Sequence, residues 1–150
     1  MSLPTTRELL ARLRTKQLRF TEVTEQHLQR IARHNDSVNA VVTLNREQAL
    51  RRAQELDRIQ DPAQLPALAG LPVTIKDAFA TAGLRTTASH PPLAGYVPDH
   101  DATLVARLRQ AGALVLGKTN LPQLAGYPHC NSPLFGPTRN PWNPALTSGG

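Results

Sequence analysis

The sequence holds 150 residues, 40% of them apolar and 19% charged, with a net charge of +6: enough chain for one core, and too apolar for a disordered tail. Its arginines are spread singly along the first 60 residues among Glu8, Glu22, Glu25, Glu47, Glu55 and Asp57, a solvated-face pattern that argues against a nucleic-acid partner. No apolar run approaches the length of a bilayer span, so no membrane helix is expected.

The predicted elements follow in chain order. Thr5 and Glu8 have the capping-box spacing that opens a helix through about Arg14. Thr21 is expected to cap a second helix, with Val23, Leu28 and Ile31 on its apolar face and an end near Asn35. Residues 40–44 are short, β-branched and strand-like. Asn45 with Gln48 predicts the cap of a third helix whose buried stripe is Ala49, Ala53 and Leu56, and Pro62 lies just beyond its stop.

A proline-rich joint at 62–70 then divides a helical region, 1–67, from a region of alternating strands and helices, 68–150. Residues 71–75 predict a buried strand ending in Lys76-Asp77, and 78–100, rich in proline and glycine, are mostly loop. Asp101 is expected to cap a helix with Leu104, Val105, Leu108 and Ala111 turned inward and Gly112 as its left-handed stop. Residues 113–116 form the next strand, which Gly117 is expected to end. Strand, helix, strand implies an α/β fold in which helices flank a sheet. From Asn120 onward the prolines dictate an extended, turn-rich path.

One motif is a decoy. Residues 112–119 satisfy the phosphate-loop pattern GxxxxGK[ST] letter by letter. That loop needs a strand before its first glycine and a pliant, amide-exposing turn between the glycines. Here the predicted strand lies between the glycines and a helix precedes them, so nucleotide binding is not expected. His27, His34, His90, His100 and His129 lack metal-ligand spacing, and no metal or cofactor is implied. The single cysteine, Cys130, excludes an internal disulfide and reads as a buried structural thiol. With no secretory stretch at the start, a reducing cytoplasmic setting is expected.

Among the 17 basic side chains only Lys16, Lys76 and Lys118 are lysine. A lysine kept in an apolar segment points to a task that arginine, always protonated, cannot perform. Lys76 follows Val73-Thr74-Ile75 directly, which carries its amine to the edge of a buried sheet, where loss of water favours the neutral base. The same position also suits a structural lysine paired with Asp77.

The surrounding string decides between the two. Gly70-Leu71-Pro72-Val73-Thr74-Ile75-Lys76-Asp77, then Asp101-Ala102-Thr103, then Gly117-Lys118-Thr119-Asn120, then Phe135-Gly136-Pro137-Thr138-Arg139-Asn140-Pro141-Trp142-Asn143-Pro144 resemble, in order and separation, the first half of the amidase signature region. Ser148-Gly149-Gly150 reaches the brink of that family's Gly-Ser-rich stretch, and residues 1–67 resemble its helical N-terminal region loosely. The resemblance implies an incomplete amidase signature fold: N-terminal helices, then part of a mixed sheet. It implies hydrolysis of a small-molecule carboxylic amide by a serine nucleophile, a second serine held by a cis peptide, and a lysine at the position of Lys76. Lys118 and Asn120 read as structural, with Lys118 placing hydrogen bonds around the loop that follows it. Ala125 and Gly126 fall where backbone groups border the acyl pocket.

Ser148 matches neither catalytic serine, so these 150 residues hold one third of the triad, and the chain alone is expected to hydrolyse no amide. Leu121-Pro122-Gln123-Leu124-Ala125-Gly126-Tyr127 differs from the acidic, methionine-bearing stretch of the glutamine-using chains of tRNA-dependent amidotransferases. Residues 130–135 resemble stand-alone amidases more closely, fatty acid amide hydrolase among them. A stand-alone amidase is therefore the expected branch. The glutamine-hydrolysing member of a tRNA-dependent amidotransferase and a non-catalytic binding module are the alternatives, and a homo-oligomer is left open.

Overall fold

The computed structural model describes residues 4–149; Gly150, the last residue of the expected glycine turn, lies outside them. Helix α1 (Thr6–Arg14) opens on the expected capping box: Thr5 Oγ1 accepts from the Glu8 amide, and the Glu8 carboxylate accepts from the Thr5 amide at 2.8 Å. Helix α2 (Phe20–Val38) outruns the expected end at Asn35. Asn35 does not stop it; its side chain instead bonds the Ala40 and Val41 backbone and so ties the helix to the following strand. Left-handed Asn39 (φ 52°) makes the stop. Nor does Thr21 cap α2. Arg19 occupies the cap position, and the Phe20 and Thr21 amides and the Thr21 hydroxyl all donate to Asp57 at the end of the third helix.

Strand β1 (Val41–Leu44) and helix α3 (Arg46–Asp57) follow, with Ala49, Ala53 and Leu56 buried as predicted. Asn45 sits at the α3 cap position, yet its side chain donates to the Val115 carbonyl at 2.9 Å and joins α3 to the sheet. Strand β2 (Pro72–Lys76), helix α4 (Thr103–Gln110) and strand β3 (Leu114–Thr119) complete the core, and a two-residue ladder pairs β4 (Asn131–Ser132) with β5 (Gly136–Pro137).

The sheet is mixed, in the order β1-β3-β2, with β3 antiparallel to β1 and parallel to β2. Alternation along β3 explains its two faces. Leu114 packs with Leu9, Leu13, Phe20, Val23 and Leu56, and Leu116 with Leu28 and Ala49, so α1–α3 cover one side. Val115 packs with Ile75, Leu84 and α4's Val105 on the other. Helix α4 is only eight residues long and meets the sheet through Val105 and, in part, Leu108; Leu104, expected inside, is half exposed. Asp101 is not its cap either. It accepts from the Ala82 amide at 2.7 Å and from Arg109, cross-linking the 78–100 loop to α4, while Ala102 takes the cap position.

Gly117 does not end β3, which runs on to Thr119. Both neighbouring strands shift register beside it, and a Cβ at this position would strike the Thr43 carbonyl. A lone glycine inside a strand pattern signals such a close approach as readily as a stop. Because the strand occupies the residues between Gly112 and Thr119, with α4 before it, the phosphate-loop pattern has no loop to act with.

Candidate active site

Lys76 is the last residue of β2, half-buried and in register with Thr119 of β3. Ile75 packs toward α4, so the strand's alternation turns Thr74 and Lys76 to the opposite side. Thr74 lines an apolar groove of about 560 Å³ there, with Ile31, Val38, Val41 and Leu116. Thr119, beside Lys76, lines a second cavity of about 340 Å³ with Asn120, Cys130, Ser148 and Gly149. The chain thus returns at residues 148–149 to the end of the sheet that carries Lys76. Cys130 is buried, as expected of a structural thiol.

Asp77 does not pair with Lys76. Its side chain is turned to the other face and fully buried, where Oδ2 accepts from the amide and the hydroxyl of Thr87. Its partner cation is Lys118. That side chain, also fully buried, donates to the Phe79 carbonyl, to Thr81 Oγ1 at 2.9 Å and to Thr86 Oγ1 at 2.8 Å. Burial pushes the Lys118 amine down to about 8, with Asp77 and Asp101 acting in the opposite direction. Lys118 is therefore structural, as expected, but the loop it holds is 79–86, which precedes it, and not the one that follows. The contacts explain this: its side chain points to the α4 side, where the β2–α4 connection crosses. Asn120 ties the other loop, donating to the Gly136 carbonyl and to Thr138 Oγ1, both at 3.0 Å.

Beyond Thr87 the backbone turns left-handed at Ala88 (φ 49°) and Ser89 (φ 55°). The Ala88 carbonyl accepts from the Leu124 amide at 2.9 Å, and Leu124 and Ala125 are left-handed too (φ 51° and 56°). Non-glycine residues adopt this region at a cost of about 1 kcal/mol or more each, so surrounding contacts must hold both turns. Ser89 supplies one such contact: its buried hydroxyl meets Ser132 Oγ at 2.6 Å, and Ser132 Oγ accepts from the amides of Leu134 and Phe135.

Ala125 and Gly126 are exposed. Their amides donate to the Pro122 and Gln123 carbonyls and close a short 3-10 turn, Gln123–Ala125. With both amides bonded, the backbone group left to each residue is its carbonyl. The loop network of Asp77, Thr87, Ser89 and Ser132 is not predicted by any local pattern in the sequence. The one available signal was Thr86-Thr87-Ala88-Ser89, small hydroxyl residues set in a loop otherwise punctuated by proline and glycine.

Comparison with known proteins agrees with this geometry. The family model described as Amidase matches residues 22–150. The glutamyl-tRNA(Gln) amidotransferase A-subunit of Geobacter metallireducens is 42% identical over 97% of the chain and 30% of its own length. The peptide amidase of Stenotrophomonas maltophilia is 38% identical, superimposes with a TM-score of 0.87, and is matched over 97% of this chain and 31% of its own. A protein from the vestigial complex related to an s-triazine catabolic enzyme superimposes with a TM-score of 0.92 at 30% identity, over 98% of this chain and 33% of its own. The chain spans about 30% of the length of the curated relatives it matches. With the family's blocks in order along most of the chain, and the mixed sheet and its helices superimposing on amidase structures, the chain belongs to the amidase signature family.

Proposed function

We propose that this chain supplies the general base of an amide-hydrolysing enzyme, and that the base is Lys76. In its neutral form the Lys76 amine accepts a proton from a bridging serine, which takes one from the serine nucleophile. The nucleophile's oxygen bonds to the amide carbonyl carbon; the C–N bond then breaks as the leaving nitrogen takes up the proton, and water releases the acid from the acyl-enzyme. Both serines correspond to family positions beyond residue 150. The carbonyls of Ala125 and Gly126 accept hydrogen bonds from the substrate's amide nitrogen, which is why we assign these residues to substrate binding. A small-molecule amide processed in the cytoplasm, without cofactor, fits this reading.

The observation that supports it best is the position of Lys76: at the end of β2, half-buried, on the sheet face away from the Asp77–Lys118 pair, beside the cavity that residues 148–149 line. The test uses the full-length protein and an aryl amide. Lys76→Ala is expected to abolish hydrolysis and Lys76→Arg not to restore it, because a guanidinium keeps its proton. Hydrolysis by Lys76→Ala at the unmodified rate overturns the assignment.

The branch of the family has two readings. The stretch 121–127 and the 38% identity to a peptide amidase support a stand-alone amidase. The 42% identity to an amidotransferase A-subunit supports membership of a multi-chain assembly. Native purification separates them: co-isolation of a second chain in fixed ratio, with glutamine as the preferred substrate, establishes the assembly.

A further inference from the structure

Asp77 stands next to Lys76 in the chain and uses nearly every polar group it has. Its amide donates to the Thr119 carbonyl at 2.9 Å, its carbonyl accepts from the Ala88 amide at 2.9 Å, and Oδ2 accepts from the Thr87 amide at 3.1 Å and from the Thr87 hydroxyl. Residues 87 and 88 are thereby held from both the backbone and the side chain of one residue. The next bond in the series runs from the Leu124 amide to the Ala88 carbonyl. It links one left-handed pair, Ala88-Ser89, to the other, Leu124-Ala125. Neither pair contains glycine, so each relies on bonds such as these to keep its conformation.

We propose that Asp77 is a positioning residue: acting through Thr87 and Ala88, it sets the Leu124–Ala125 backbone relative to Lys76. The base and the carbonyls that meet the substrate amide are then tied together through one residue, whose backbone continues β2 and whose buried carboxylate holds Thr87. Lys118 compensates its charge from the α4 side. This rests on the reading of Lys76 and Ala125 given above. A carboxylate that served folding alone would lower global stability without reaching Leu124 selectively.

The test uses Thr87→Val, which at nearly constant shape removes the hydroxyl that donates to Asp77 and accepts from the Ser89 amide at 3.0 Å, and Thr87→Ser, which keeps it. Residue-resolved amide hydrogen exchange of the full-length protein is read at Leu124 and, as a core reference, at Val115, and kcat and KM are measured on an aryl amide. Thr87→Val is expected to accelerate exchange at Leu124 about tenfold, to leave Val115 unchanged and to lower kcat/KM about tenfold, with Thr87→Ser close to the unmodified protein in each. Exchange at Leu124 that does not respond, or that rises equally at Val115, overturns the proposal. Should Thr87→Val fail to fold, Thr87→Ala, which removes the same hydroxyl and leaves the Asp77–Lys118 pair intact, is read for the same selective pattern, and its absence has the same meaning. Because exchange needs no turnover, a Lys76→Ala protein that still hydrolyses amide removes the base assignment alone and leaves the Asp77–Leu124 linkage to be judged on its own result.

Discussion

The Lys118 ammonium lies 3.9 Å from Asp77 Oδ1, and neither side chain reaches solvent. Its three direct acceptors, the Phe79 carbonyl and the hydroxyls of Thr81 and Thr86, are all neutral. Asp77 Oδ1 itself accepts no hydrogen bond among the described residues. A buried pair of this kind adds little relative to an apolar replacement of both partners, but removing one partner strands the other.

Lys118→Met, which unlike a neutral amine also takes the donor from the Phe79 carbonyl and from the Thr81 and Thr86 hydroxyls, is accordingly expected to destabilise the fold by about 3–5 kcal/mol, measured by urea unfolding. A loss below about 1 kcal/mol would show that water compensates the stranded Asp77 and that the site is wetter than its burial implies.

The same burial gives a pH signature. The Lys118 amine titrates at about 8 in the folded protein, below the 10.5 of an unburied lysine. Below 8 both states hold the proton; between 8 and 10.5 the unfolded state alone does, so this group's contribution to stability rises with pH across that window. The gain is on the order of 3 kcal/mol. A 13C-labelled Lys118 Cε resonance with its midpoint near 8, together with a melting temperature that Lys118 helps to raise above that pH, is the expected result. A midpoint near 10.5 would contradict it.

Gly117→Ala places a methyl group against the Thr43 carbonyl, where backbone cannot yield as a side chain can. We expect a loss of about 1–3 kcal/mol and weakened pairing of β1. Unfolding free energy and amide exchange of residues 41–44 report the two effects; a neutral substitution would mean that β1 sits further from β3 than described.

Asp57 caps α2 from the far end of α3, receiving three hydrogen bonds from Phe20 and Thr21. Asp57→Ala is expected to cost about 1–2 kcal/mol, more than Thr5→Ala at the exposed capping box of α1. Equal losses in denaturant titrations would argue that the α2 terminus draws its partners from solvent.

The sequence was most legible where a local rule acts alone. The Thr5–Glu8 box, the buried stripe of Ala49, Ala53 and Leu56, the left-handed stop at Gly112 and the misplaced phosphate-loop pattern were all readable, because each depends on residues within a turn or two. The family blocks around Lys76 were legible for the same reason: they are continuous strings. Polar side chains are less legible. Thr21, Asn45 and Asp101 all stand at or beside helix starts, where local spacing makes them caps, yet each finds a partner elsewhere in the fold: Asp57, the Val115 carbonyl, and Ala82 with Arg109. A capping bond and a tertiary bond are close in free energy, so packing chooses between them.

By itself, then, the sequence determined the order of the main helices and strands, the apolar faces of α2 and α3 and the lysine set at the end of β2, since these follow from periodicity and residue type. Only the tertiary structure decided that Asp77 turns away from Lys76, that Lys118 is the lysine sealed from water, and that residues 88 and 124 share a hydrogen bond. Those facts depend on which groups a closed sheet and its crossing loops bring within about 3 Å of one another, and nothing local encodes them.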